Sequence, residues 1–181
     1  MKRIKVDFKM YFLYFITFSM FGYVYEVLFK LIRHGVLINR GCLLGPWIPL
    51  YGMGSILIIL LSKKLKEKPG MLLLSSMLAC GTLEYLISFF LEKAYNKSWW
   101  DYSSYPLNIN GRVCAAALLL FGILSLLAVY VFVPLINKFY NKVKDKKVFN
   151  LIISILFALF FIDLIHSAFF PNLSSSYDLK L

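Results

Sequence analysis

Three acidic side chains interrupt long apolar runs of this chain: Glu26, Glu84 and Asp163. A carboxylate in hydrocarbon costs roughly 2.5–3.5 kcal/mol on insertion scales, so each must face a bundle interior, a partner or water. Two loop arginines, Arg40 and Arg112, are the natural partners for Glu84, because guanidinium stays charged and grips a carboxylate through parallel hydrogen bonds. Such a constellation can hold an ionic solute. A buried carboxylate can also carry a raised pKa and move protons.

Helical spacing turns these acids inward. Cys80, Gly81 and Ser88 stand at i−4, i−3 and i+4 from Glu84, and Ser19 and Gly22 at i−7 and i−4 from Glu26, small stripes on which another helix can pack closely. Glu26 also has Lys30 at i+4, the spacing of a local ion pair. Asp163, His166 and Ser167 share one side at i, i+3 and i+4, where packing and functional roles both stay open. Counted back from the apolar boundaries, the three acids fall about 9–11 Å inside the outer surface, one candidate layer.

Two polar stretches complete the chemistry. "GCLLGPWIPLYGMG" packs Gly41, Gly45, Pro46, Pro49, Gly52 and Gly54 into fourteen residues, a density that opposes a regular helix. Exposed backbone cannot face lipid, so an irregular or re-entrant entry to the second helix is expected, lining the protein interior and ending at a helix start near Pro46 or Pro49. "WWDYSSYPLNINGR", Trp99 to Arg112, combines an aromatic belt with Asp101, Asn108, Asn110 and Arg112. We expect it to fold as a cap over the outer mouth, its aromatics at headgroup level and Arg112 turned toward the carboxylates.

Other chemistries lack their residues. No GxxxxGK[ST], GxSxG or HExxH occurs, so ATP hydrolysis requires a separate ATP-binding subunit and catalytic residues are none. Cys42, Cys80 and Cys114 form no CxxC pair, and His34 and His166 lack metal-ligand spacing, so neither a metal nor a cofactor is expected. Cys42 and Cys114 each follow an arginine by two residues, which leaves a disulfide or two free thiols open.

The elements that must position these groups are membrane helices. The sequence is 60% apolar with mean hydropathy +0.74, far above a soluble domain. Apolar segments run over 10–32, 46–62, 71–91, 113–136 and 148–170, about five spans of an all-α polytopic protein forming one integral membrane domain, 1–181. The first is too long and aromatic for a signal-peptide core and should remain attached. The net charge of +11 comes in short lysine clusters without any nucleic-acid motif, so it reads as a topology signal. Lys2, Arg3, Lys5, Lys9, Lys63, Lys64, Lys66, Lys68, Lys138, Lys142, Lys144, Lys146 and Lys147 fall on one side; Lys30, Arg33, Arg40, Lys93, Lys97, Arg112 and Lys180 fall on the other. That split of thirteen against seven puts the amino terminus inside, the carboxyl terminus outside and both motif loops at the outer face.

"NRGCLLGPWIPLYGMG" followed by "GTLEYLISFFLEKAYNKSWWDYSSYPLNINGR" resembles the CmpB-like family of small bacterial membrane proteins, labelled ABC-transporter type IV, permease-like, with animal transmembrane proteins as distant relatives. The resemblance covers roughly residues 11–135, leaving the segment at 148–170 as an additional helix. It implies a multi-pass protein of the bacterial plasma membrane, and it marks as substrate-binding Glu26, Asn39, Arg40, Gly41, Pro46, Tyr51, Glu84, Glu92, Trp100, Asp101, Tyr102, Asn108, Asn110 and Arg112. Gly45, Pro49, Gly52 and Gly111 belong to the same pattern. Phe121 stands before Gly122 where the family pattern has tryptophan.

The leading function is a permease-like transport component that binds a small polar or ionic solute in an outer-half pocket, in contact with membrane lipids and built as a homo-oligomer. An intramembrane enzyme acting on a lipid or cell-envelope substrate is the alternative, with a sensor or assembly subunit as a third.

Overall fold

The computed structural model describes residues 7–174 and 177–178; Lys2, Arg3, Lys5 and Lys180, which entered the charge count, lie outside them. Five helices make up the bundle. They are α1 (Phe8–His34), α2 (Pro49–Leu65), α3 (Pro69–Tyr95), α4 (Ala115–Val143) and α5 (Lys147–Phe169). All but α2 are long and apolar enough to cross a bilayer, so the chain is an all-α polytopic membrane protein.

Helix ends follow local chemistry. Asp7 caps α1, its carboxylate accepting from Met10 N–H, and Gly35 closes it in the left-handed region at φ 68°. Proline occupies the first position of α2 and of α3, where no N–H is needed, and Asn96 ends α3 at φ 54°. Within α4 the residues Ala128–Phe132 wind as a π-helix just ahead of Pro134. A proline there cannot donate to the carbonyl one turn back, and a π-bulge absorbs the mismatch without breaking the span.

The entry to α2 is irregular, as the glycines and prolines imply. From Gly35 the chain runs back along α1 without helix until Pro49, and Ile48 N–H donates to the carbonyl of Ser19, near the middle of α1, at 3.0 Å. At 17 residues α2 is therefore a helix of roughly 25 Å that begins inside the bundle.

In sequence order α1 to α4 pack each on the next, and Gly52 and Gly122 allow the approach. A Cβ on Gly52 would lie 2.7 Å from the Phe15 carbonyl, and one on Gly122 would lie 2.8 Å from Met77. The fifth helix lies outside this row and meets α1 through aromatic edges, Phe12–Phe157 and Phe15–Phe160, each with centroids 5.1 Å apart. Among the described residues, short strands sit at one end: β1 (Lys97–Ser98) pairs with β4 (Tyr177–Asp178), and β2 (Asn108–Ile109) with β3 (Val113–Cys114). The lysine-rich connections lie at the opposite end, where Lys63 donates to Tyr11 and Lys9 to Asn150.

Replacing Gly52 by alanine is expected to lower stability by about 1–3 kcal/mol, since backbone rather than a flexible side chain must give way. Gly70, with open space around it, should tolerate alanine within about 0.5 kcal/mol. Thermal unfolding in detergent, compared between the two variants, checks the pair.

Candidate functional site

Both polar motifs gather at the strand-bearing end, where Arg33 donates to the Tyr105 hydroxyl at 3.1 Å and Trp99 Nε1 to the Asn172 carbonyl at 3.0 Å. The cap is built on a turn: Asn110 and Gly111 have φ 52° and 68°, and Arg112 N–H closes on the Ile109 carbonyl at 3.0 Å. Two successive positive φ values are what a primed hairpin turn requires, which explains an Asn-Gly pair here. The Asp101 carboxylate accepts from the Ser103 N–H and hydroxyl, and Trp100 Nε1 donates to the Arg112 carbonyl at 2.9 Å.

Beneath and beside this cap lies a cavity of about 1130 Å³ between α1, α2, α3 and α4. Of the residues the sequence singled out, Glu26, Arg40, Tyr51, Glu84, Glu92, Trp100, Asp101, Tyr102, Asn110 and Arg112 line it. Asn39, Gly41, Pro46 and Asn108 do not, and they shape the loops. Asn39 donates to the Leu44 carbonyl, and Gly41, at φ 85°, accepts from Asn172. Pro46 lies in the irregular entry, and Asn108 ties together Ser103, Tyr105 and Gly111.

Two ion pairs mark the cavity wall. Glu26 Oε2 takes Arg40 Nη2 at 3.0 Å and Nε at 3.3 Å, while its Oε1 accepts from the Tyr51 hydroxyl at 2.8 Å. Glu92 Oε2 takes Arg112 Nε at 2.9 Å, and its Oε1 accepts from Ser88 at 3.1 Å. Arg112 also lies over the rings of Tyr85 and Phe89, at 5.4 and 5.6 Å from their centroids.

These pairs correct the expected partnership of the arginines with Glu84. Arg112 reaches Glu92, two helical turns beyond Glu84 on α3, and Arg40 is engaged by Glu26. The side chain of Glu84, 3% exposed, instead accepts from the Tyr102 hydroxyl at 3.2 Å. Its second oxygen is buried without a hydrogen-bond partner, as is Nη1 of Arg40. Burial, then the nearby Glu84 and Glu26, raises the Tyr102 phenol well above its ordinary pKa, so it remains a donor.

The expected single layer of acids is divided as well. Asp163 faces the α1–α2 connection, where it accepts from Leu44 N–H at 3.1 Å, Gly45 N–H at 2.8 Å, Trp47 Nε1 at 2.7 Å and Ser167 at 3.0 Å. Of its expected neighbours Ser167 joins it, whereas the exposed His166 packs at a tilt against Phe170. Of the cap's aromatics, Trp99 is packed inside the protein, 3% exposed. Cys42 and Cys114 are free thiols. No group of metal-ligating side chains forms among the described residues.

Two further basic residues belong to the cavity, Lys30, expected beside Glu26 at i+4, and Arg33, which entered only as a topology charge. They follow Glu26 by four and seven residues, on the same helical face.

The model of the family described as "Putative ABC-transporter type IV" matches residues 13–168, most of the chain. The chain belongs to this family. The matched span takes in α5 up to Ser167 and Ala168, and with it Asp163, beyond the stretch that carried the motif resemblance. No curated protein and no solved structure matches the chain.

A double-mutant cycle on unfolding free energy tests the pairing. Arg112→Ala and Glu92→Ala should couple by about 1–3 kcal/mol, whereas Arg112→Ala and Glu84→Ala should add within about 0.5 kcal/mol.

Proposed function

We propose that this family member is the permease-like membrane component of a transport system, taking a polar or ionic substrate group into the cavity beneath the cap. One observation carries the reading: a buried donor, Arg40 Nη1, and a buried acceptor, Glu84 Oε2, belong to walls of the same cavity and neither has a partner. An unmade hydrogen bond at a buried polar group costs about 1–3 kcal/mol. A substrate that offers an anionic or carbonyl oxygen to Arg40 and an N–H or O–H to Glu84 removes both penalties at once. The saturated Glu26 and Glu92 then hold the arginines in place, and Tyr102 holds one oxygen of Glu84.

Orientation follows from charge. The basic connections around Lys63–Lys68 and Lys138–Lys147 belong on the cytoplasmic side, so the cavity opens outward in a bacterial plasma membrane. With no phosphate-binding loop in this chain, ATP hydrolysis belongs to a separate subunit that docks at that basic end. Two copies side by side supply the helices that a pathway needs.

The test is substrate binding and uptake by purified protein in proteoliposomes, alone and with a candidate ATPase, across polar solute classes. Glu84→Gln, which keeps shape and removes charge, should weaken binding about tenfold or more. Arg40→Lys should do the same, because ammonium lacks the fork that serves Glu26 and substrate together. Binding of no solute class, or binding that both variants leave intact, contradicts the proposal.

A further inference from the structure

A second space of about 360 Å³ lies next to the polar cavity, walled by apolar side chains that include Phe18, Leu83, Leu124, Leu127 and Phe132. The two spaces share Tyr25, Tyr51 and Phe121. Tyr51 stands at the junction: its hydroxyl serves Glu26 on the polar side, while its ring lies so close to α1 that a Cβ on Gly22 would approach it to 2.2 Å.

The lateral boundary of the apolar space is the gap between α1 and α4, the first and last helices of the row. Phe18 and Phe21 meet Phe132 at 6.2 and 5.6 Å between centroids, and Tyr14 donates to Asn137 deeper toward the lysine-rich end. Nearer the cap the two helices present exposed apolar side chains, Phe21, Val24 and Ile123 among them. A chain-sized apolar slot beside a charged pocket is complementary to a molecule with a polar head and a hydrocarbon tail.

Charge narrows the head. An oxygen-rich anionic group suits the free Nη1 of Arg40, and an ammonium suits the free oxygen of Glu84. Resting on the transport reading above, we infer that the substrate is a zwitterionic phospholipid with a primary amine: phosphate at Arg40, ammonium at Glu84 and an acyl chain in the slot between α1 and α4. Soluble phosphoethanolamine shares the head chemistry and leaves the slot empty.

The experiment uses the full chain in nanodiscs doped with phosphatidylethanolamine that carries a photoreactive group in its acyl chain, with phosphatidylglycerol of the same chain as control. Labelling at Leu124, Leu127 and Leu83 is compared with labelling at Ile162, an exposed residue of α5 that reports bulk lipid. The slot should be labelled in excess by the ethanolamine lipid, and Glu84→Gln should reduce that excess about tenfold. Leu124→Trp, which fills the slot, should remove it; competition by unlabelled short-chain phosphatidylethanolamine gives the same information should that variant misfold. Equal labelling by both lipids, or an excess indifferent to Glu84→Gln, overturns the inference. Calorimetric binding of phosphoethanolamine without slot labelling also overturns it while leaving the polar site standing, and loss of both fails the transport reading too.

Discussion

A stretch of backbone without helix or sheet, placed inside a membrane bundle, must find a partner for every buried N–H and carbonyl. The segment between Gly35 and Pro49 meets that constraint by borrowing acceptors and donors from all around it. Asp163 on α5 takes two of its N–H groups and the Trp47 indole, Ser19 on α1 gives Ile48 a carbonyl, and Asn172 serves the carbonyls of Asn39 and Gly41. Once these bonds are made, Arg40 is held against Glu26 and α2 begins in mid-bundle. The outer cavity exists because that half of the row is loop and cap rather than packed helix.

The charges then divide by role. Glu26 and Glu92 are fully occupied by arginine, tyrosine and serine donors, and the value of such buried pairs lies in geometry more than in net stability. Glu84 is different. It receives one phenol on one oxygen and nothing on the other, on the face of α3 where Cys80, Gly81 and Ser88 are buried beside it. One donor and one acceptor are thus left open beside an apolar slot, and the proposed ligand would meet both.

Much of this was legible in the residues. Lengths of apolar run announce the helices, and clustered Gly and Pro announce the broken entry, because both signals depend on local chemistry. The inward turn of Glu84 was legible in Cys80, Gly81 and Ser88, and all three are buried with it. The pairing of arginines with acids was not. Depth counted from the last apolar residue takes the helix to end at the lipid boundary, but α3 continues four residues past Leu91 to Tyr95, which lifts Glu92 to the level of Arg112 and leaves Glu84 below. The partners of Asp163 were hidden for a related reason: Leu44 and Gly45 lie more than a hundred residues away, and no spacing rule spans that distance.

Substrate capture as proposed requires Glu84 to be reached through the cavity from the cap end and not from the lysine-rich end. The direct measurement is thiol accessibility of Glu84→Cys in intact cells, with Cys42, Cys80 and Cys114 replaced by serine. A small membrane-impermeant thiol reagent added outside should label this position, and a bulky residue at Tyr102 in the cap should alter the rate. Labelling only from the cytoplasmic side, or only by a lipid-soluble reagent, would contradict it.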